Sequence, residues 1–188
     1  MHILSVNVAR VQSRLMNGRR VRTAIGKRPV EGRVAVHRLG LAGDEQAQTS
    51  LHGGPTKAVY AYPALHYPFW QTVRAQARLS LWDEALPPGS LGENLTLGGL
   101  DETMLWVGDR LVLPGCVLAV TEPRLPCAKF GGAMGFAQAV ALMAQSGFCG
   151  AYLAVIEEGE VGAGDAFTLQ PGPREVNLRE LFRARVGR

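Results

Sequence analysis

The feature that most constrains the fold is a series of short apolar runs separated by turn residues. The runs, rich in β-branched residues, are HILSVNV, RVAVHRL, KAVYAYP, ENLTL, MLWVG, RLVLPG, CVLAVTEP, AYLAVIE and AFTLQP. Glycine, proline and aspartate stand between them, which is the pattern of β-strands joined by tight turns. Gly-Asp pairs at 108–109 and 164–165 directly precede such runs and predict turns that lead into strands.

Two longer segments have helical spacing of apolar residues instead. In the first, from Ala64 to about Leu79, the predicted buried face consists of Leu65, Phe69, Val73 and Ala77. The second spans 135–146 and ends before Gly147, a common C-terminal residue of helices. Because strands dominate two helices, we predict a mixed, β-rich α/β fold: a mostly antiparallel barrel or sandwich with peripheral helices.

The size and composition indicate one globular domain. A chain of 188 residues with 47% hydrophobic and 19% charged residues can bury a proper core and is not disordered. We place the domain at residues 1–172, and residues 173–188, after two closely spaced prolines, form a short basic tail or helix. Neither a secretory signal nor a bilayer span is apparent.

Cysteine usage favours a reducing compartment. The cysteines Cys116, Cys127 and Cys149 are odd in number and irregularly spaced, so they predict neither a disulfide framework nor a metal clip. We therefore expect a cytoplasmic protein, with Cys116 and Cys149, which lie in apolar runs, in the core.

The formal net charge of +4 favours anionic partners. The basic residues do not form one long tract, so a small phosphorylated ligand is the preferred partner. Nucleic acid is unlikely, because the basic stretch at 17–22 and the basic C-terminus lack interleaved aromatic residues.

Cys127 has the most distinctive setting, within the segment EPRLPCAKF. Pro126 fixes its own φ, so the backbone before the thiol is stiff. If Arg124 and Lys129 lie close in space, they favour the thiolate, the form that attacks electrophiles and binds soft metals. The spacing also fits a buried structural cysteine flanked by two solvated cations.

Three further segments could bind an anion. In LHGGPTKAVYAY, the amides of Gly53 and Gly54 could approach an anion and Lys57 could add charge, although an ordinary turn also explains the pattern. His52 has no partner at metal-ligand spacing, so a zinc site is not expected. In the other two segments the candidates are Glu93 and Asn94, which also suit a turn, and Thr23, Lys27 and Arg28, which also suit an exposed basic loop.

Taken in order, these segments resemble a known family. TAIGKRPV, GLAGDEQAQTSLHGGPTKAVYAYP, GSLGENLTLGGLDE, VGDRLVL, EPRLPCAKF and GAYLAVIEEGEVGAGDAFTLQPG follow the sequence order of a MOSC domain, the module named for the C-terminal part of molybdenum-cofactor sulfurase. The resemblance covers about residues 2–172 and is closest to the stand-alone bacterial YiiM-like branch, which is linked to resistance to N-hydroxylated base analogues.

The resemblance implies a β-barrel-centred fold that binds the molybdenum pyranopterin cofactor. Cys127 matches the family's essential cysteine and is the implied molybdenum ligand. Asp44 matches a family acid that could orient a proton donor or water. The implied cofactor-binding residues are His52, Gly53, Gly54, Lys57, Glu93, Asn94 and Arg124, with Thr23, Lys27 and Arg28 as a second group.

The implied activity is reduction of N-hydroxylated amines or nucleobases, with electrons from a separate reductase and no pyridoxal phosphate in this chain. Two alternatives stay open: a sulfur-transfer module with a persulfide on Cys127, and a non-catalytic cofactor carrier. The sequence departs from the YiiM-like pattern at 146–154, where an arginine and a Trp-Tyr pair are missing, and it stops where that branch continues into a small helical domain.

Overall fold

The computed structural model describes residues 1–16, 18–49 and 53–187. His52 therefore lies outside the described residues. The strands are β1 (His2–Val8), β2 (Gln12–Met16), β3 (Arg19–Thr23), β4 (Arg28–Pro29), β5 (Arg33–His37), β6 (Gly40–Leu41), β7 (Val59–Pro63), β8 (Leu95–Gly98), β9 (Arg110–Val112), β10 (Val117–Pro123), β11 (Ala151–Glu157), β12 (Gly159–Gly162) and β13 (Thr168–Gln170). The predicted β-rich fold is confirmed.

These strands form one large sheet and two small ones. The large sheet has the order β13-β9-β10-β11-β7-β8-β1-β4, a second sheet has the order β12-β5-β6, and β2 pairs with β3 in a hairpin. Within the described residues the ladders are antiparallel except for β7 with β8, which run parallel. The parallel pair places the ends of β1, β7 and β8 side by side at the candidate site described below.

The predicted β-barrel is not confirmed, because no closed sheet is found in the described residues. Among the described residues no ladder joins the two outer strands of the large sheet, β13 and β4. Hydrogen bonds nevertheless bring the sheet partly around, because Ile3 donates its N–H to Asp165 O (2.9 Å) and Gly164 donates to Ile3 O (2.8 Å). The sheet is thus strongly curved, and β1 contacts the segment that leads into β13.

The Gly-Asp turns were predicted correctly, but the run MLWVG is not a strand. Gly108 and Gly164 have φ of 93° and 90°, and the aspartate after each glycine accepts backbone N–H bonds within its turn. The 3₁₀ turn Glu102–Met104 and the turn at Gly108 occupy the MLWVG segment, so only Trp106 makes an isolated bridge there.

Helices cover one side of the large sheet. Those of eight residues or more in the described chain are α1 (Tyr67–Gln76), α3 (Gln138–Ser146) and α4 (Leu178–Val186), and the shorter α2 spans Ala128–Met134. A 3₁₀ turn at Ala64–His66 precedes α1, and another occupies Pro55–Lys57. None of the described helices is long and apolar enough to cross a membrane.

The buried face of α1 differs from the prediction. Leu65 is 55% exposed, whereas Trp70 is fully buried and His66 is 3% exposed. Phe69 and Val73 are partly buried against the core, so the predicted face is confirmed in part, while the large indole of Trp70 shifts the most buried position by one residue. The second predicted helix is present as α3, and Gly147 adopts the expected left-handed conformation after it.

The large sheet separates two apolar cores, and β7 contributes to both. Val59 and Ala61 point into a core enclosed by the curved sheets, while Tyr60 and Tyr62 point into a second core beneath the helices. Phe182 of α4 is fully buried in this second core. The C-terminal residues 178–186 are therefore packed against the domain rather than hanging from it.

Candidate functional site

A surface cavity, here called the cysteine cavity, opens beside the carboxyl end of β10; its empty space of about 630 Å³ is partly open to solvent. It brings together residues from the start, middle and end of the chain. Its lining is Thr23, Ala24, Ile25, Lys27, Asp44, Glu45, Gln46, Ala47, Gln48, Lys57, Tyr60, Leu91, Gly92, Asn94, Arg124, Cys127, Lys129 and Tyr152. Four of these side chains are basic and two are acidic, so the described lining has a net positive formal charge.

Cys127 lies where the chain leaves β10 and begins α2. Its backbone is extended (φ −144°, ψ 165°), and the thiol is partly exposed to the cavity. By contrast, Cys116 and Cys149 are buried, as predicted. Arg124 Nη2 lies 3.9 Å from Cys127 Sγ. The structure thus favours a presented thiol over a structural cysteine sealed in the core.

Arg124 is a buried cation held by aromatic rings. Its side chain is 4% exposed, and its guanidinium carbon lies 4.8 Å from the Phe130 ring centroid and 5.5 Å from that of Tyr60. No ion pair with a carboxylate appears for it in the described part of the chain. Burial disfavours its charged form, but Tyr60, Tyr152 and Cys127 act in the opposite direction, and the pKa of Arg124 is raised overall.

Lys27 and Asp44 form a buried ion pair in the cavity wall. Their side chains are 8% and 4% exposed. Asp44 also accepts hydrogen bonds from Ala9 N (2.8 Å) and Asn94 Nδ2 (2.9 Å). Burial lowers the pKa of Lys27, although Asp44 and Glu93 act in the opposite direction. With its carboxylate held by three donors, Asp44 fixes the position of Lys27 rather than pointing freely into the cavity.

Asn94 joins the three strands that end at the cavity. Its Oδ1 accepts from Tyr60 N on β7 (3.1 Å), and its Nδ2 donates to Asn7 O on β1 (3.2 Å) as well as to Asp44. A side-chain amide can offer both an acceptor and two donors, which a carboxylate or hydroxyl cannot. This explains why the residue before β8 is an asparagine.

Glu93 is buried beneath the cavity and is not part of its lining. Its carboxylate accepts from Gly89 N (2.7 Å), Leu91 N (3.1 Å) and Thr96 Oγ1 (3.0 Å), and it also contacts the Tyr67 hydroxyl. Burial raises its pKa, although these hydrogen bonds act in the opposite direction. Glu93 therefore shapes the loop that carries Leu91 and Gly92 into the lining.

Gln46 fixes the glycine loop, and the sequence reasoning missed it. Its Nε2 lies within 3.2–3.4 Å of three backbone carbonyls, those of Leu39, Lys57 and Ala58, and its Oε1 accepts from Gly54 N at 3.2 Å. A Cβ at Gly53 would overlap Oε1, and Gly54 has a φ of 85°. The two glycines are therefore needed to let the chain pass Gln46.

Lys57 and the C-terminal helix share one carboxylate. Glu122 on β10 lies 3.6 Å from Lys57 Nζ and 2.7 Å from Arg185 Nη1 on α4. Lys57 also lies 5.7 Å from the centroid of the Tyr152 ring. The charge of Lys57 at the cavity is therefore linked to the position of α4.

Comparison with known proteins identifies the family. Residues 48–168 match the MOSC domain. This chain belongs to the MOSC domain family. It is 38% identical to the uncharacterized protein YflK of Bacillus subtilis, over 86% of this chain and 70% of that protein, and 33% identical to YiiM of Escherichia coli, over 84% and 68%. A Gibberella moniliformis protein named "Reductase" is 31% identical over 97% of this chain, which spans 32% of that protein.

The solved structures agree with this assignment. YiiM from Geobacillus stearothermophilus superposes with a TM-score of 0.78 and 27% identity, covering 98% of this chain and 83% of that chain. The fold of this MOSC protein is therefore the mixed, β-rich fold of YiiM.

In this MOSC protein the structure places most of the predicted site residues around one cavity. Cys127, Lys57, Asn94, Arg124, Thr23, Lys27 and Asp44 line it. Arg28 is exposed and lines a neighbouring groove instead, and Glu93, Gly53 and Gly54 support the lining from behind. Lys129, predicted to lie near the thiol, also lines the cavity, and the residues of the lining that the prediction missed include Gln46, Tyr60 and Tyr152.

Within the segment 146–154, which departs from the YiiM-like pattern, Tyr152 contributes to the described lining and Phe148 and Ala151 do not. Phe148 stacks on His66 with the ring centroids 3.8 Å apart, and its carbonyl accepts from the Tyr62 hydroxyl (3.0 Å). Ala151 is buried in β11. Phe148 and Ala151 therefore contribute to packing, and the cations of the lining come from other elements.

Proposed function

We propose that this MOSC protein is a molybdenum-cofactor-dependent reductase of N-hydroxylated amines or nucleobases. The observation that supports this best is Cys127, a partly exposed thiol 3.9 Å from a buried guanidinium at the edge of a cavity with several cations. The "Reductase" among the relatives is consistent with redox chemistry.

The residues present fit a molybdenum pyranopterin. The described chain has no group of three or more histidine, cysteine or acidic side chains that could hold a metal by itself. A metal bound at Cys127 would therefore take most of its ligands from an organic cofactor. A thiolate suits a soft metal, and a phosphorylated pterin suits a cavity with Lys27, Lys57 and Lys129 in its wall.

With this cofactor bound, the side chains of the cavity would have the following roles. Cys127 would ligate the metal, and Arg124 would favour its thiolate. Asp44 would hold the Lys27 ammonium in position beside the cofactor's phosphate, and the burial of this pair would limit the hydration of the ammonium. Lys57 would add a second positive charge, oriented by Glu122. Tyr60 and Tyr152 give the cavity apolar surface on which a planar ring system can pack.

The reaction is a two-electron reduction. The N–O bond of the N-hydroxylated group breaks, two electrons and two protons are taken up, and an amine and water are the products. The bound cofactor would supply this two-electron chemistry, and a separate reductase would supply the electrons. The role of the protein residues is to bind, orient and neutralise charge.

Elemental and pterin analysis of the purified protein tests the proposal. We would purify wild type, Cys127→Ser and the matched control Cys116→Ala anaerobically from cells that make the cofactor, and assay reduction of a hydroxylaminopurine. We expect molybdenum, pterin and turnover in wild type and in Cys116→Ala. The native Cys116 thiol is buried and does not line the cavity. Cys127→Ser should lose turnover by at least about a hundredfold, because the soft ligand is replaced by a hard one.

Each alternative has its own result. Wild type without molybdenum or pterin, or full turnover by Cys127→Ser, overturns the proposal. Added sulfur on Cys127 without metal, detected by intact-mass spectrometry, shows a sulfur-transfer module instead. Bound cofactor without turnover of any N-hydroxylated compound shows a carrier.

A further inference from the structure

A second and larger depression adjoins the cysteine cavity. This depression, here called the arginine groove, has about 1440 Å³ of empty space, part of it open to solvent. It runs between the β2–β3 hairpin, the loop before β4, helix α1, the segment at 80–90 and the end of α2. Lys27 lines both the groove and the cysteine cavity, so the two adjoin at this side chain.

The side chains that line the groove carry a net positive formal charge. Arg14, Arg28 and Arg74 line it together with Lys27, and the acidic side chain in the described lining is Glu84. Glu84 accepts a hydrogen bond from Leu81 N (3.2 Å). Across residues 1–16, 18–49 and 53–187, none of the three arginines forms an ion pair with a carboxylate.

Two of these arginines are positioned by the backbone rather than by acids. The guanidinium of Arg14 packs over Gly26, where an added Cβ would overlap it. Arg74 Nη1 donates to Met134 O at the end of α2 (2.7 Å). These contacts hold both guanidinium groups in place but do not neutralise their positive charges. Because the side chains are already ordered, binding an anion costs less conformational entropy.

We propose that the arginine groove binds the phosphate group of a nucleotide, the base of which passes Lys27 into the cysteine cavity. The guanidinium fork matches phosphate oxygens bidentately, whereas a free nucleobase offers no charge for three arginines to bind. The groove therefore assigns nucleotides, rather than free bases or nucleosides, as the substrate class. That the base is N-hydroxylated rests on the function proposed above.

Binding of AMP compared with adenosine tests this proposal without turnover. AMP is the product that reduction of its N-hydroxylated form releases. We would titrate both into the protein as purified, by isothermal calorimetry, for wild type, Arg14→Gln, Gly26→Ala and the control Arg110→Gln. Arg110 is exposed on β9, away from the groove.

We expect AMP to bind at least about tenfold more tightly than adenosine, and Arg14→Gln to remove about tenfold of the AMP affinity. Gly26→Ala should weaken AMP binding as well, because it displaces Arg14 without changing the charge. Adenosine affinity should be the same in all variants. Equal affinity for AMP and adenosine, or an equal loss in Arg110→Gln, overturns the proposal.

Cofactor analysis of the same samples separates the two possible sources of phosphate. If Arg14→Gln loses molybdenum and pterin while its AMP affinity is unchanged, the groove serves the cofactor's phosphate and the nucleotide proposal is wrong. If wild type carries no molybdenum but still prefers AMP and loses that preference in Arg14→Gln, the groove is supported and the reductase function fails.

Discussion

Arg124 combines a buried charge with a neighbouring thiol. Its guanidinium lies 3.9 Å from Cys127 Sγ and between aromatic rings. A cation at this distance favours the thiolate, so we expect Arg124→Gln to slow alkylation of Cys127 by iodoacetamide at neutral pH by about tenfold. Mass spectrometry of the alkylated peptide measures the rate at that cysteine.

Two variants separate charge from packing in this experiment. Arg124→Lys keeps the positive charge and should retain most of the alkylation rate, while Arg110→Gln removes an exposed arginine on β9 and should not change it. An Arg124→Gln protein that reacts as fast as wild type would show that the guanidinium does not act on the sulfur.

Glu93 makes the stability of the protein depend on pH. Burial raises its pKa above the ordinary value of 4.5. The native state therefore holds this proton more tightly than the unfolded state, so the stability that Glu93 contributes is complete below 4.5 and is lost as the pH rises through the native pKa. Glu93→Gln cannot titrate and lacks this dependence.

We therefore expect the unfolding free energy of wild type, relative to Glu93→Gln, to be greatest at acidic pH and to decrease as the pH rises. Urea titrations of both proteins at a series of pH values measure this difference. Glu31→Gln, at an exposed position before β5, is the control and should follow wild type throughout. A difference that grows with pH contradicts the assignment.

At the scale of residues, sequence motifs predicted the charged and sulfur-containing side chains of the candidate site but not the residues that hold its loops in position. Cys127, Arg124 and Lys57 could be found because their motifs bring unusual chemistry together in a few positions. Gln46 could not, because its partners are backbone groups at 39, 54, 57 and 58, and only the path of the loop brings them together. Asp44 was found, but its buried pairing with Lys27 depends on tertiary structure.

Among the elements, α4 is the one that can be tested most directly. Phe182 is fully buried beneath the helices, whereas Arg183 beside it is exposed. Phe182→Ala should lower the free energy of unfolding by about 3–5 kcal/mol, because it removes a buried ring and leaves a cavity. Arg183→Ala should change it by less than about 0.5 kcal/mol. Urea denaturation of both measures the difference, and a small effect of Phe182→Ala would show that α4 is not part of the folded domain.

The elements also show where sequence patterns mislead. The predicted stripe placed Leu65 on a buried helical face, but Leu65 lies in the 3₁₀ turn before α1 and is exposed, while Trp70 on α1 has more apolar surface to bury and is fully buried. Helix α2 was not predicted because two glycines in seven residues lower its intrinsic helix propensity. One of them, Gly131, has a packing reason, since a Cβ there would lie 3.2 Å from Val140 Cγ2 on α3.

At the scale of the molecule, the shared strands predict that both cores unfold together. On β7, Tyr60 and Tyr62 belong to one core while Val59 and Ala61 belong to the other. Neither core can lose its packing without exposing the opposite face of the same strand. We expect the urea transition followed by tryptophan fluorescence, to which the buried Trp70 contributes, to coincide with that followed by far-UV circular dichroism. Separate midpoints would contradict this coupling.

The curvature of the large sheet could be predicted only in part. Alternating runs and turns indicate a β-rich domain, but whether a sheet closes depends on the register and stagger of its strands, which are long-range properties. The hydrogen bonds of Ile3 with Asp165 and Gly164 show how closely the strands approach.

Through Glu122, the position of helix α4 affects the electrostatic potential in the cavity. The Glu122 carboxylate attracts Lys57 on one side and Arg185 on the other. A molecule that docked on α4 and drew Arg185 away would leave Lys57 with a larger share of that negative charge. The electrostatic potential in the cavity would then fall without any change in the residues that line it.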